Sequence, residues 1–330
     1  MQALAIVVAC LVGILVPAVS LAQEAGNGPA TTYPSRAVHI IVPYAAGGPT
    51  DVIARIIAEK LSEALGQPHV VENHAGAGAL IGTGIVARAA ADGYTLLFVT
   101  NDLAARPAFT QNAPYDPIKS FEPVSVLAVS PQVIVVHPSL PVSTLAELMA
   151  HVRANPGKYA YGSPGLLTST HLAAERLFKV AQKLDMPHVP FNGGAPAVEA
   201  VLGGHTMIAV TALAAVAPYI TDGTLRALAI TTGKRHARFP AVLTLAESGF
   251  AGQDSDVMIG VVVPAGTPRP IVTLLQKELR NIAEMPIVKA RVESMAFDFV
   301  MSSPEEFAAR INSDIAEWNK LAAVADFAPK

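Results

Sequence analysis

The sequence predicts an α/β fold of two domains that face each other as a clamshell, each a mostly parallel sheet flanked by helices. The chain has 330 residues, which is long for one core and comfortable for two domains. Strand and helix patterns alternate twice, around residues 38–100 and 158–231, as is typical of parallel sheets covered on both faces. Glycine-rich turns follow strands in both halves, at the edge where open parallel sheets bind ligands.

Composition narrows the class of protein. Hydrophobic residues make up 52% of the chain and charged residues 15%, which is typical of a globular rather than a disordered protein. The net charge of −3 gives no basis for binding nucleic acid or a membrane surface. Aromatic residues, at 6%, are too sparse for a platform that stacks nucleic-acid bases.

Residues 1–22 predict a cleaved export signal. They are apolar throughout and end in Ser20-Leu21-Ala22, a pattern typical of cleavage after about Ala22. A membrane anchor is the alternative, since about 20 apolar residues can span a bilayer. Pro17 and the small residues at the end favour cleavage, so we expect an exported protein. The only cysteine, Cys10, would leave with this segment, and the mature chain would hold no disulfide or thiolate metal site.

The stretch 38–59 predicts a place where an anion could bind. Val38–Val42 is a short apolar run typical of a buried strand, and residues 43–49 form a turn of Pro and Gly. A helix is expected to begin near Thr50 and Asp51, both suitable capping residues. Unpaired N–H groups and the helix dipole would favour an anion at this point, although many parallel sheets contain such a turn with nothing bound.

The remaining elements follow from apolar runs and helical periodicity. Further strands are predicted at residues 69–72, 94–100, 124–129, 133–137, 158–162, 188–191, 207–211 and 225–231. Further helices are predicted at residues 79–91, 144–154, 170–180, 195–202, 212–220, 269–285 and from about 304 to 324. The segment from Asn101 to Pro123 contains four prolines and is predicted to be a loop.

These elements divide into two predicted domains. The first comprises residues 32–130 and 250–330, and the second residues 131–249, with the ligand cleft between them. The chain would cross between the domains near Val129–Val133 and Gly249–Asp256, and these crossings are the expected hinges.

No catalytic motif is complete in this sequence. Tyr115 to Lys119 spells the YxxxK of some reductases, but Pro117 argues against a shared helix face. Tyr161 stands where a GxSxG motif needs its first glycine. His171 and Glu175 have the i, i+4 spacing of metal ligands, yet no third ligand follows at useful spacing. We therefore expect no enzyme, no cofactor and no metal site, although a triad assembled only in space stays open.

Several ordered motifs do match a known family. The run Pro43–Asp51, PYAAGGPTD, resembles the PFxPGGxxD signature of the Bug (TctC-like) periplasmic solute-binding proteins, which serve tripartite tricarboxylate transporters. The likeness covers nearly the whole mature chain, continuing through residues 73–82, 92–97, 161–175, 189–204 and 263–268. Two departures are Ala46, where the family has a proline, and Leu166-Leu167, where relatives often carry small or polar residues.

The resemblance implies a periplasmic-binding-protein clamshell, or Venus flytrap, that closes over a small organic carboxylate. The ligand would be a mono- or dicarboxylate, with an aromatic body among the options. The expected location is the periplasm, the expected state a monomer, and the expected partners the permease subunits of a tripartite tricarboxylate transporter. The alternative is a ligand-sensing module that signals to a membrane receptor.

The resemblance also implies which residues contact the ligand. In the first domain these are Tyr44, Ala46, Gly47, Gly48, Thr50, Asp51 and Thr100. In the second domain they are Ser163, Leu166, Leu167, Thr168, Ser169, Phe191, Asn192 and Gly193. Asp51 has a second interpretation, as a residue that caps its helix. Leu166 and Leu167 could line the pocket or pack beneath their turn.

Overall fold

The computed structural model describes residues 33–110 and 112–324. The predicted export signal, its cleavage position and Cys10 lie outside these residues. From Pro34 onward the described chain packs as one compact unit, in which two sheets share a long strand. None of the described helices combines the length and apolar character needed to cross a membrane.

Strands and helices alternate along most of the described chain. The strands are β1 (Val38–Val42), β2 (His69–Asn73), β3 (Thr95–Val99), β4 (Phe121–Val136), β5 (Tyr161–Ser163), β6 (His188–Pro190), β7 (Ile208–Ala212), β8 (Arg226–Ile230), β9 (Asp256–Pro264) and β10 (Asp298–Phe299). The helices are α1 (Pro49–Leu65), α2 (Leu80–Ala87), α3 (Asp102–Phe109), α4 (Leu145–Arg153), α5 (Ser169–Glu175), α6 (Gly194–Leu202), α7 (Leu213–Thr221), α8 (Arg269–Ala283), α9 (Pro286–Ser294) and α10 (Pro304–Val324). A π-helical turn, Arg176–Ala181, continues α5.

Each sheet combines a parallel half with antiparallel strands. In the first sheet β1 runs parallel to β2 and β3, and β9 joins β3 to β4 by antiparallel pairing. In the second sheet β5 runs parallel to β6 and β7, while β4 pairs antiparallel with β7 and β8. The predicted α/β clamshell fold is confirmed, and the carboxyl ends of the parallel strands form one edge of each sheet.

Strand β4 belongs to both sheets. Its residues through Pro131 pair with β9 in the first sheet, and its residues from Gln132 pair with β7 in the second. The two separate strands predicted at 124–129 and 133–137 are therefore one strand of 16 residues. A proline is tolerated at Pro131 because the strand changes partner there.

The helices cover the sheets with apolar faces. In α1, the side chains of Ile53, Ile57 and Leu61 are wholly buried at helical spacing. The second sheet is covered on both faces, because one apolar cluster includes Ile134 and another includes Val135. Burial of alternate residues of one strand in two cores is what a central strand requires.

The prediction of a loop over residues 101–123 is wrong at both ends, since α3 lies near its start and β4 begins at Phe121. Helix α3 occupies Asp102–Phe109 even though Pro107 lies inside it. Leu103, Ala104 and Ala105 are buried, and the two alanines share an apolar cluster with Trp318 of α10. Tertiary packing therefore outweighs the hydrogen bond that the proline removes.

Candidate functional site

The first group of predicted site residues lies in the loop between β1 and α1. Gly47 has φ +84°, a conformation that glycine adopts without strain. Gly48 is the N-cap of α1 in ordinary extended conformation, with φ −73° and ψ 164°, and Pro49 occupies the first helical turn. The loop therefore ends at the positive end of a 17-residue helix.

The Asp51 carboxylate ties this loop to its surroundings. It accepts hydrogen bonds from the Gly47 N–H at 2.8 Å, from Arg55 Nε at 3.0 Å and from Asn73 Nδ2 at 2.9 Å. The side chain is 3% exposed. Burial acts to raise the pKa of Asp51, but the hydrogen bonds from Arg55, Gly47 and Asn73 together hold it below its ordinary value. Asp51 is thus placed to hold the loop, with both carboxylate oxygens engaged by protein.

Three amides of the loop have no such partner. The N–H groups of Ala45, Ala46 and Gly48 meet no hydrogen-bond acceptor within the described part of the chain. Ala45 and Ala46 are exposed and Gly48 is partly exposed. Donors at the N-terminus of a helix are suited to an anion.

Tyr44 and Thr100 meet beside this loop. The Tyr44 hydroxyl lies 2.6 Å from Thr100 Oγ1, and Thr100 Oγ1 also accepts a hydrogen bond of 3.3 Å from the Asp102 N–H. Burial, followed by the charge of Asp102, raises the pKa of Tyr44, so its hydroxyl stays protonated. The ends of β1 and β3 are therefore joined at the same edge of the first sheet.

The second group of predicted residues forms the turn between β5 and α5. Thr168 is the N-cap of α5, where its hydroxyl accepts from the His171 N–H at 3.3 Å and donates to the Gly165 carbonyl at 2.9 Å. Leu167 has φ +58°, and its N–H donates to His171 Nδ1 at 3.1 Å. Leu166 is 40% exposed, whereas Leu167 is 4% exposed and packs beneath the turn.

Ser163 belongs to a buried polar network under this turn. Its hydroxyl lies 2.7 Å from His188 Nε2, and the His188 ring stacks on His171 with centroids 3.9 Å apart. Glu175 extends the network by accepting from the Tyr161 hydroxyl at 2.5 Å. Burial is the main cause that lowers the pKa of His188 to about 4 and of His171 to about 2, so both rings are neutral at pH 7. Ser163 has no exposed surface, and a substrate could not reach its hydroxyl.

The turn between β6 and α6 lies against the same loop. The Phe191 N–H donates to the Ser163 carbonyl at 3.0 Å, and the Gly193 N–H donates to the Pro164 carbonyl at 2.9 Å. The Asn192 side chain is exposed, and its amide meets no partner among the residues that the structure describes. The predicted residues of the second group are therefore neighbours.

The two groups are brought together across the molecule by α3 and α5. The Ser169 N–H, at the start of α5, donates to Asp102 Oδ1 at 2.9 Å. Leu167 and Leu172 share an apolar cluster with Ala104 and Ala105 of α3. The carboxyl edges of the two sheets therefore face each other with Asp102 between them.

Asp102 and Arg106 are the residues of this site that sequence reasoning missed. Both lie on α3, inside the segment predicted to be a loop, and both are buried. A signal was present, because an acid and an arginine at i, i+4 directly follow a buried strand. The four prolines of the segment concealed it.

Comparison with known proteins identifies the family of this chain. The family model of the tripartite tricarboxylate transporter family receptor (TctC) matches residues 53–325. Protein BugT of Bordetella pertussis (strain Tohama I) is 35% identical over 310 residues, which cover 93% of this chain and 94% of BugT.

Solved structures of related proteins superpose closely on this chain. Rpa4515 of R. palustris, solved with adipate, superposes with a TM-score of 0.84 at 32% identity, covering 90% of this chain and 100% of that one. MatC of Rhodopseudomonas palustris, solved with bound malate, has a TM-score of 0.81 at 28% identity and covers 88% of this chain and 100% of its own. The chain therefore belongs to the Bug, or TctC-like, family of periplasmic solute-binding proteins, which bind their ligands rather than convert them.

Proposed function

We propose that the protein captures a small organic mono- or dicarboxylate between its two domains and delivers it to the permease subunits of a tripartite tricarboxylate-type transporter. The observation that supports this most is that the amides of Ala45, Ala46 and Gly48, at the start of α1, have no acceptor among the described residues. Neutral N–H donors and a helix dipole can hold a carboxylate at little cost, because they bring no opposing charge that must be desolvated. The adipate and malate present in two related structures support the same ligand class.

In this proposal the ligand contacts come from both sheet edges. The loop after β1 takes one carboxylate, with Tyr44 and Thr100 beside it. Leu166 and the side chain of Asn192 are both exposed, and in this proposal they contact the rest of the ligand. Asp51 and Ser163 do not contact the ligand in this proposal but hold the residues that do, since their polar atoms are already hydrogen-bonded within the protein.

The domains in this proposal are residues 32–130 with 250–330, and residues 131–249. The change of partner of β4 between Pro131 and Gln132 supports the boundary in the first crossing. Near the second crossing, the Asp256 carboxylate binds Arg310 Nη2 of α10 at 2.7 Å. Opening and closing would bend the chain at these two crossings while each sheet stays intact.

A thermal-shift panel tests the capture of a carboxylate. The protein is unfolded, dialysed and refolded to remove any acid that was purified with it, and then melted with adipate, malate, hexanoate or benzoate. A ligand that binds only the folded state at 100 times its Kd adds about 2.7 kcal/mol of stability, which raises the Tm by several degrees. The corresponding uncharged amides serve as controls. If no acid raises the Tm at any concentration, the proposal is wrong.

Delivery to a permease needs a separate test. A strain that lacks this protein should lose uptake of the radiolabelled acid that the panel identifies, and the restored gene should return it. Normal uptake without the protein, together with capture of a membrane receptor by the liganded protein, would instead support the sensing alternative.

A further inference from the structure

A buried arginine lies at the same edge as the candidate site. Arg106 of α3 is 7% exposed, and its guanidinium lies against Gly78, in the turn between β2 and α2. A methyl group added at Gly78 would come within 1.7 Å of Arg106 Nη2 and 1.9 Å of Cζ. The guanidinium therefore occupies space that any side chain at position 78 would fill.

This guanidinium has no hydrogen-bond partner among the residues that the structure describes. Within residues 33–110 and 112–324, no acceptor lies within hydrogen-bond distance of Arg106, and its Nε is buried without a partner. Burial raises the pKa of Asp102 overall, although the positive charge of Arg106 acts to lower that pKa. However, Asp102 Oδ1 accepts from the Ser169 N–H, and Asp102 makes no ion pair with Arg106. A buried positive charge without a counter-charge is costly, and arginine keeps its charge when buried.

The charge of Arg106 acts on residues of both halves of the site. Burial has the largest influence on the pKa values of Tyr44 and His171, and the positive charge of Arg106 is among the causes that lower both. Tyr44 belongs to the loop after β1, and His171 to α5 of the second sheet. The geometry agrees, because the Arg106 guanidinium lies against Gly78 in the turn after β2, and Asp102 on the same helix accepts from the Ser169 N–H of α5. Arg106 therefore lies near the carboxyl edges of both sheets.

We propose that Arg106 is a specificity-determining residue that binds a second anionic group of the ligand. The planar guanidinium can donate two parallel hydrogen bonds to a carboxylate, while the amides at the start of α1 hold the first carboxylate. The inference rests on the proposed function and narrows it, because it selects dicarboxylates over monocarboxylates of equal length. It also explains a buried guanidinium that the described part of the chain leaves without a hydrogen-bond partner.

Calorimetry with a matched pair of ligands tests this role. Adipate and hexanoate share a six-carbon chain and differ in the second carboxylate. For the wild-type protein we expect adipate to bind at least about tenfold more tightly than hexanoate. Hexanoate lacks the second carboxylate and therefore cannot accept the charge-assisted hydrogen bonds from Arg106. In Arg106→Gln the two acids should bind with similar affinity, and Arg106→Lys should keep part of the preference. Arg291→Gln, a change of an exposed arginine on α9, is the control and should keep all of it.

The possible failures are distinguishable. Equal binding of adipate and hexanoate by the wild type, or an undiminished preference in Arg106→Gln, overturns the role of Arg106 and leaves carboxylate capture standing. Binding of no acid by the wild type contradicts the proposed function and this inference together. The Tm of ligand-free Arg106→Gln should change little, because the buried guanidinium makes no hydrogen bond or ion pair among the described residues, and Asp102 loses only a nearby positive charge. A fall of several degrees would show a structural role and overturn the proposal.

Discussion

At the scale of single residues, Asp51 illustrates how one side chain can shape a site without facing it. Its carboxylate holds the Gly47 N–H, Arg55 and Asn73, and Asn73 Nδ2 in turn donates to the Tyr44 carbonyl at 3.1 Å. The loop after β1 is thereby fixed at both ends before any ligand arrives. Such preorganisation lowers the entropic cost of binding.

Replacing Asp51 by Asn should therefore destabilise the protein. The amide group cannot accept from all three donors and has no charge for Arg55, so the free energy of unfolding should fall by about 1–3 kcal/mol. Urea unfolding of the ligand-free protein measures this. Asp116→Asn is a control at an exposed turn, where the acid accepts from the N–H groups of Ile118 and Lys119. Equal stability of Asp51→Asn and wild type would refute the positioning role.

The sequence predicts two possible roles for Asp51 and does not distinguish between them. A helix cap and a ligand contact both require an acid near the start of a helix, and the partner that distinguishes them, Asn73, comes from a different strand. Arg106 was not foreseen at all for a related reason. Its significance depends on the lack of a partner in space, which no local pattern reports.

At the scale of elements, α5 depends on two neutral histidines. His171 Nδ1 accepts from the Leu167 N–H and so must be unprotonated, and His188 packs on it against Ser163. Lys179, whose Nζ lies 3.0 Å from Glu175, and Arg106 add positive charge nearby. Burial is the larger influence against protonation of the rings, and these positive charges add to it, while the Glu175 carboxylate, 3.7 Å from His171 Nε2, acts in the opposite direction.

The protein should consequently lose stability between pH 7 and pH 5. The unfolded state takes up protons below about pH 6.5, whereas folded His188 does so only near pH 4 and His171 near pH 2. Stability therefore falls as pH decreases, by at most about 1.4 kcal/mol per pH unit for each histidine. Buried His69 and His236, whose pKa values burial also lowers, act in the same direction.

Urea unfolding at pH 7, 6 and 5 checks this dependence. His188→Gln should show a shallower loss than the wild type, since one of the depressed histidines is gone. His205→Gln, at an exposed position, should match the wild type. A stability that stays constant or rises from pH 7 to pH 5 would contradict the account of this network.

Elements with strong local patterns could be predicted from the sequence, and those defined by distant partners could not. Strand β1 and helix α1 were clear because the apolar run, the turn and the helical spacing lie within one short stretch. Strand β9 is absent from the predicted strands although much of it is apolar, and its position between β3 and β4 depends on pairing with residues far away in the chain. Helix α3 was not predicted because Pro107 argues against a helix. The packing against α10 that stabilises this helix is a tertiary contact, which the local sequence does not show.

At the scale of the whole molecule, β4 connects two sheets whose carboxyl edges face each other. The hydrogen bond from the Ser169 N–H to Asp102 joins these edges. Burial raises the pKa of Asp102, although the positive charge of Arg106 opposes this. A ligand held between the edges would contact residues of both halves, so capture and closure are expected to be coupled.

The central claim is that a carboxylate binds at the amides of the loop after β1, and Gly48→Val tests it most directly. A Cβ at position 48 would meet only the Ala45 carbonyl, at 3.6 Å, and Gly48 has backbone angles that any residue adopts. The fold should therefore tolerate the valine, while its side chain occupies the space beside the amides. In isothermal titration calorimetry with the best acid of the panel, we predict that Gly48→Val shows no measurable binding and that Gly48→Ser retains most of it. Wild-type affinity in a folded Gly48→Val protein would contradict the claim.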